Sequence, residues 1–397
     1  MRVLYRIRVF CRLLIITIAG FYFGASVGTI TAETEEPVSE AAMVKFHEVI
    51  QYKIDEIAQK YHAVGVSVSI VQNGEIVDSY SYGWAIKNVN PMTENSKIRV
   101  ASISKVILGM EAMRLQEKGA VNIDASIGDY WGFPIYNRRY PNKVISMHKI
   151  LTHTSSIRPE EISAGSSASI IPSLKNGSVF NNTTPGEIGS WCYNNYAFGI
   201  LGMTLERATG KCVNDMLAED YFSMMGIDAA YGGKRIVDKA NIAAIYSDGS
   251  VCRSVASISN YGASEIPGSS GSFFAGGLVI SSKDLAKMVA ILSNDGVYRG
   301  IPLLSSASIE QMENVIDIPN ADGFYQGLVL RLRHNMHGRN RIYYHTGSSY
   351  GVHNEISYDP DLKDGIVVLT SGASGTKDSN GVYAICSEIS DLLYKFY

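Results

Sequence analysis

Ala101-Ser-Ile-Ser-Lys105-Val-Ile-Leu-Gly-Met110 opens a helical stretch that runs to Lys118 and stops at Gly119. Val106, Met110, Met113 and Leu115 recur on one side of it, and the glycine is a helix stop. Ser102 and Lys105 stand three residues apart, so hydroxyl and amine share a face one turn apart. Free backbone N–H groups at a helix mouth, and the helix dipole, favour an oxyanion developing there. Taken alone, the Ser-x-x-Lys spacing is weak. Ser146-Met-His-Lys149 and Ser374-Gly-Thr-Lys377 match it too, but the latter falls in a Gly/Ser/Asp loop and the former has no comparable setting. Ser102 as a plain helix N-cap is the competing explanation.

Two later segments separate these explanations. Tyr193-Asn-Asn195 leads into a helical pattern spanning Tyr196 to Ala208, and His345-Thr-Gly347 occurs once, at the end of a strand. Tyr140-Pro-Asn142 repeats the Tyr-x-Asn spacing, and a strand-end turn would explain His-Thr-Gly, so neither decides anything alone. Their joint occurrence in this order fits acyl transfer through serine, with a nearby amine and phenol as acid/base groups. Gly347 is read as a place where a substrate backbone lies close. His153 is read as a structural loop residue.

Working outward, Met43 to Tyr61 carries a helical stripe of Phe46, Val49, Ile50, Ile54 and Ile57. Val64, Val66, Val68 and Ile70 alternate, Asn73-Gly74 turns, and Ile76 to Tyr82 returns as a hairpin. Residues 120 to 280 read as short helices and long loops, among them Ser163 to Thr184 and Ser247 to Gly271. Strands resume at Gln326–Arg333, Arg341–Thr346, Asn354–Tyr358 and Gly365–Thr370, and an amphipathic helix, Val382–Phe396, closes the chain. The expected fold is α/β of the α+β kind. Its antiparallel sheet is built from both chain ends and flanked by helices, with an inserted helical lobe. The division is an α/β lobe, 43–118 and 281–397, and a helical lobe, 119–280, with the site in the cleft between them.

The chain has 397 residues, enough for a large core. A formal net charge of -3 supplies no basic footprint, so nucleic acid is not an expected partner. Arg2, Arg6, Arg8 and Arg12 precede an uncharged stretch, Leu13 to Ala32, followed by Glu33, Glu35 and Glu36. Residues 1–32 read as an export signal or a membrane anchor and 33–42 as a tether. Leu13 to Phe23 is short like a signal core, yet the whole uncharged stretch would span roughly 30 Å as a helix. Either way the catalytic part is expected outside the cytoplasm: secreted, periplasmic or held at the outer membrane face. Cys192, Cys212, Cys252 and Cys386 allow three pairings. Cys192 with Cys212 is the least favoured, since the intervening helix holds its ends roughly 20 Å apart, and Cys386 reads as a buried thiol. No spacing of Cys or His points to a metal.

The three motifs come with Ile150-Leu-Thr-His-Thr-Ser155, Pro185-Gly-Glu187, Tyr193 to Gly202, Ala275-Gly-Gly-Leu278 with Ser281-Ser-Lys-Asp-Leu285, and Asn294-Asp-Gly296. Over roughly residues 45 to 397 the chain resembles the penicillin-recognising serine hydrolases, on the side of class C β-lactamases, penicillin-binding proteins and D-aminopeptidase-like esterases. The resemblance implies a serine β-lactamase/transpeptidase-like fold. It implies Ser102 as the nucleophile, Lys105 and Tyr193 as acid/base groups, and Asn195 as a hydrogen-bond partner of the substrate amide or the lysine. His345, Thr346, Gly347 and Ser348 would bind substrate, with the N–H groups of Ser102 and Ser348 as oxyanion hole. No cofactor is implied. The expected activity is hydrolysis of D-amino-acid-containing peptides, amides or esters, small-molecule or peptide substrates. A β-lactamase or D-alanyl-D-alanine carboxypeptidase is the alternative, and a non-catalytic binding module a further one, opposed by the intact Ser102, Lys105 and Tyr193. The chain departs from the family pattern at His345, where carboxylate-binding members carry lysine, so the site is expected to lack that charge. A second departure is a two-residue excess between Gly186 and Tyr193.

Overall fold

The computed structural model describes residues 40–159, 164–316, 319–320 and 322–397. The expected export segment and most of the tether lie outside the described residues. The first helix, α1, spans Glu40–Lys60, so the last three residues read as tether belong to it. No helix among the described residues is long and apolar enough to cross a membrane.

Strands β1 (Gly65–Gln72) and β2 (Glu75–Ile86) form the expected hairpin. Asn73 and Gly74 turn it with φ of 52° and 73°, the positive pair that a two-residue turn of matching twist demands. β3 (Asn90–Pro91) and β4 (Lys97–Arg99) follow, then a 3₁₀ turn, Ala101–Ile103, and helix α2, Ser104–Glu117. Helix α3 is Asn195–Thr209, started by Asn194, whose side chain accepts a bond from the Ala197 N–H at 2.9 Å. Next come β5 (Ala230–Tyr231), β6 (Leu278–Ser281) and helix α4, Ser282–Ser293. The chain closes with β7 (Tyr325–Gln326), β8 (Arg331–Met336), β9 (Arg339–Ser349), β10 (Val352–Asp359), β11 (Asp364–Ser371) and helix α5, Ala384–Phe396.

The main sheet is antiparallel and has eight strands in the order β7-β8-β9-β10-β11-β1-β2-β3. It joins the two chain ends, because β11 pairs with β1 from Asp364↔Gln72 to Ser371↔Gly65. The fold is thus the α+β architecture read from the sequence. Both faces of its centre are covered. Val66, Val68 and Ile70 pack with Ile50 and Ile54 of α1 and Ile385, Ile389 and Leu393 of α5. The alternate residues Ser67 and Ser69 face α4 and are also buried, each meeting the Ser282 hydroxyl, at 2.7 and 3.0 Å. That polar contact is how a period-two pattern survives in a strand with no solvent face.

Three segments depart from expectation. Gln326–Arg333 is not one strand: Val329 has φ of 65° and gives its N–H to the Leu151 carbonyl, which breaks the run into β7 and β8. Ser163–Thr184 is not all loop, since Ser167–Asn176 is helical, capped by Ser166 and ended by Gly177 at φ 74°. Ser247–Gly271 contains a strand, Ser250–Arg253, paired with Ile245–Ser247, and a short helix, Val255–Ser259. Cys192, Cys212, Cys252 and Cys386 are all free thiols, and Cys386 is buried.

Candidate active site

Ser102 sits in the 3₁₀ turn that leads into α2, directly after Ala101, whose φ is 50°. No side-chain cap bond forms at that helix start. The Ser102 hydroxyl instead accepts a bond from Lys105 Nζ at 3.1 Å. By contrast Ser146 does cap the helix Met147–Leu151, accepting from the Lys149 N–H, so the rival Ser-x-x-Lys match is a helix start and nothing more. The turn is pinned by Ser104, which donates to the Ala101 carbonyl at 2.6 Å and accepts from the Leu278 N–H at 3.0 Å.

Lys105 is wholly buried. Its ammonium donates to Ser102 and, at 2.5 Å, to the Ala275 carbonyl, and it lies 5.0 Å from the centre of the Tyr193 ring. Burial lowers its pKa, the Tyr193 phenol opposes that, and the Arg331 charge adds to the lowering. The phenol responds in the complementary sense. Burial would raise it, but the charges of Lys105 and Arg331, with hydrogen bonds to Lys105 and Ser102, bring its pKa below the ordinary tyrosine value. Hydroxyl, amine and phenol therefore converge in one hydrogen-bonded group.

Lys105 reaches Ala275 because α3 lets the loop that leads into β6 approach closely. A side chain at Gly199 would collide with Ala164 and the Gly271 carbonyl, and one at Gly202 with the Phe274 ring. His153 supports Tyr193 from behind: its ring lies 4.6 Å from that of Tyr193 and 5.1 Å from that of Phe198. Its Nδ1 accepts from the Asn194 N–H at 3.1 Å, and burial followed by the charges of Lys105 and Arg331 keeps it neutral. Between Gly186 and Tyr193 the chain makes a 3₁₀ turn, Ile188–Ser190. Trp191 then bonds Gln326 and Cys192 donates its N–H to the His153 carbonyl.

The His-Thr-Gly triplet lies inside β9, not at its end. Strand alternation points Thr346 and Ser348 into the cleft and His345 and Gly347 inward. A Cβ at position 347 would strike the Val100 carbonyl oxygen, so this glycine lets β9 lie against the Ser102 turn and is not primarily a gap for substrate. His345, expected at the substrate, is fully buried and lines no part of the cleft. Its Nδ1 lies 2.7 Å from the Thr346 carbonyl, and burial, then the charges of Arg331 and Lys105, hold the ring neutral.

A positive charge does reach the cleft, from another strand. Arg331 of β8, opposite Tyr344 of β9, lies over the Tyr193 ring at 5.5 Å and donates to Thr346 Oγ1 at 3.4 Å. Among the described residues no carboxylate pairs with it. It lines a cleft of about 690 Å³ together with Ser102, Tyr193, Asn195, Thr346 and Ser348. Asn195 faces this cleft, while Lys105 donates its bonds to Ser102 and Ala275. Among the described residues no group of His, Cys, Asp and Glu could hold a metal ion.

A family model described as Beta-lactamase matches residues 50–384. Penicillin-binding protein 4* of Bacillus subtilis (strain 168) is 23% identical over 191 residues, 45% of this chain and 40% of that protein. The chain thus spans between a third and two fifths of the length of the curated relatives it matches. D-amino acid amidase from Ochrobactrum anthropi SV3, solved with L-phenylalanine, superposes with a TM-score of 0.67 at 20% identity, covering 89% of this chain and 98% of that one. A beta-lactamase/D-alanine carboxypeptidase from Pseudomonas syringae gives 0.68 at 18% identity, covering 89% and 98%.

Proposed function

The chain belongs to the Beta-lactamase family, and from that premise we propose that it is a serine hydrolase forming an acyl-enzyme on Ser102. Its substrates in this reading are short peptides or amides of D-amino acids, preferentially those whose leaving group bears a free carboxylate. The observation that carries it is the 3.1 Å contact of the buried Lys105 amine with Ser102, beside a phenol of lowered pKa. D-amino acids enter from the neighbours, one a D-amino acid amidase and another a D-alanine carboxypeptidase. The carboxylate enters from Arg331, which lines the cleft with Ser102 and forms no ion pair among the described residues, Asp322 and Asp378 on the same wall included.

In this mechanism the Ser102 oxygen attacks the substrate carbonyl while its proton passes to the Lys105–Tyr193 pair, which titrates as a unit. The N–H groups of Ser102 and Ser348 receive the negative oxygen of the tetrahedral intermediate. On collapse the C–N bond breaks, and Tyr193 returns the proton to the departing amine. The same pair then deprotonates the water that hydrolyses the ester. Asn195 holds the substrate amide, and His345 and His153 act indirectly, as neutral rings packed around the pair.

A panel of a D-Ala-D-Ala peptide, its C-terminal amide, a D-alanyl ester, a β-lactam and a simple acyl ester, read by product mass, tests the substrate class. The carboxylate-ended peptide should exceed its amide in kcat/KM by about tenfold or more, the usual worth of a charge-assisted bond. Equal rates, or turnover of the simple ester alone, would overturn it. Export, proposed from the arginine-flanked stretch 1–32, is tested by fractionating cells that make the full chain; recovery only in cytosol would overturn it.

A further inference from the structure

The cleft that carries Arg331 meets a second one at Ser102, Asn195 and Ser348. This second cleft, about 350 Å³, is bounded by Arg99 and Tyr350. Past Arg99 and Phe273 it adjoins a further cavity of about 600 Å³ whose wall holds Arg253. The two arginines flank one ring: the guanidinium carbon of Arg99 is 5.2 Å from the centre of Tyr350 and that of Arg253 is 3.9 Å from it. Arg99 donates to the Gly276 carbonyl at 2.7 Å and to the Tyr350 side chain, and Arg253 donates to the Cys252 carbonyl at 3.1 Å. Neither has a carboxylate partner among the described residues. Burial lowers the Arg99 pKa, Tyr350 opposes this, and the like charge of Arg253 lowers it further. Two cations around one aromatic ring with no counter-charge cost repulsion, which a bound anion would relieve.

A substrate lying across Ser102 has two ends. With its leaving group in the Arg331 cleft, its acyl portion must run through the other cleft toward Arg99. That direction rests on the acyl-enzyme reading above. We propose that Arg99 and Arg253, stacked on Tyr350, form an acyl-side subsite for a carboxylate, so that the preferred acyl donor is itself anionic. The enzyme then selects peptides charged on both sides of the scissile bond, with Arg331 reading one end and the arginine pair the other. Arg99 also ties the subsite to the nucleophile, because β4 leads directly into the Ala101–Ile103 turn.

The test uses succinyl-, glutaryl- and adipoyl-D-Ala-D-Ala, each beside its neutral carboxamide counterpart. Binding to the full Ser102→Ala chain is measured by calorimetry, and hydrolysis by the unaltered enzyme is followed by product mass. At least one acid should bind about tenfold more tightly than its carboxamide, the range for hydrogen bonds to charged groups. Arg253→Met should erase that ratio, and Arg253→Lys should keep part of it. Acids and carboxamides that bind alike in all three pairs would overturn the subsite. Discrimination in binding without any hydrolysis by the unaltered enzyme would support the subsite and overturn the acyl-enzyme reading instead.

Discussion

Lys105 bears a cation in a place that water does not reach, with only a hydroxyl, a carbonyl and a phenol for partners. Such an amine gives up its proton more readily than a surface lysine, which fits it to act as a base. Arg331 pushes both Lys105 and Tyr193 toward deprotonation. Arg331→Met should therefore raise both pKa values and move the acidic limb of the kcat/KM–pH profile to higher pH. An unmoved limb would detach Arg331 from the pair. Tyr193→Phe should slow turnover by about two to four orders of magnitude, the usual range for general acid–base help, as read in steady-state kinetics. The contact of Ser102 with Lys105 was legible in sequence because three residues of continuous helical turn fix their distance. Arg331 was not, because its contact with Tyr193 and Thr346 depends on the register of β8 against β9, which no local spacing reports. For the same reason the sequence reading, with His345 where carboxylate-binding members carry lysine, expected no such charge and did not look across the sheet.

Helices and strands hold these groups by close approach, and glycines mark where. Gly347 of β9 lies against the Val100 carbonyl, just before the turn that carries Ser102. Gly347→Ala has no room for its Cβ, so β9 or the turn must shift. A displacement near 1 Å costs about a hundredfold in rate, and kcat/KM should fall by that order while melting remains cooperative. Activity near that of the unaltered enzyme would show that the contact is loose. The β1–β2 hairpin was readable from alternation and Asn73-Gly74, since both signals are local. The break between β7 and β8 was not, because the Leu151 carbonyl that holds Val329 comes from far away in sequence. Ser167–Asn176 escaped notice for a different reason: its serines and Pro172 carry poor helix propensity, and burial of Ile170 and Leu174 overrides it.

The sheet joins strands from the two ends of the chain, and His337 clamps its β8–β9 turn to β10 and α5. It sits in the turn between β8 and β9, 2.8 Å from Asp391 of α5 and 3.0 Å from Glu355 of β10. Burial opposes its charge, but the Glu355 and Asp391 carboxylates overcome this and raise its pKa from 6.5 to about 9. A raised histidine contributes its stability in full below pH 6.5 and loses it as pH climbs through about 9. Denaturant midpoints should fall over that window by on the order of 3 kcal/mol in stability, and His337→Gln should flatten the fall. A profile equally steep in that variant would remove the clamp. The joining of both termini in one sheet was foreseen from strand patterns at the two ends. The clamp was not, because a lone histidine in a turn gives no sign of its two distant carboxylates. All of the proposed chemistry passes through one covalent intermediate. Intact-protein mass after seconds of mixing with a β-lactam or a D-alanyl thioester, followed by peptide mapping, measures it directly. A mass gain of one acyl group carried by Ser102 and lost in Ser102→Ala is the expected result. An adduct on another residue, or one that persists in Ser102→Ala, would contradict it.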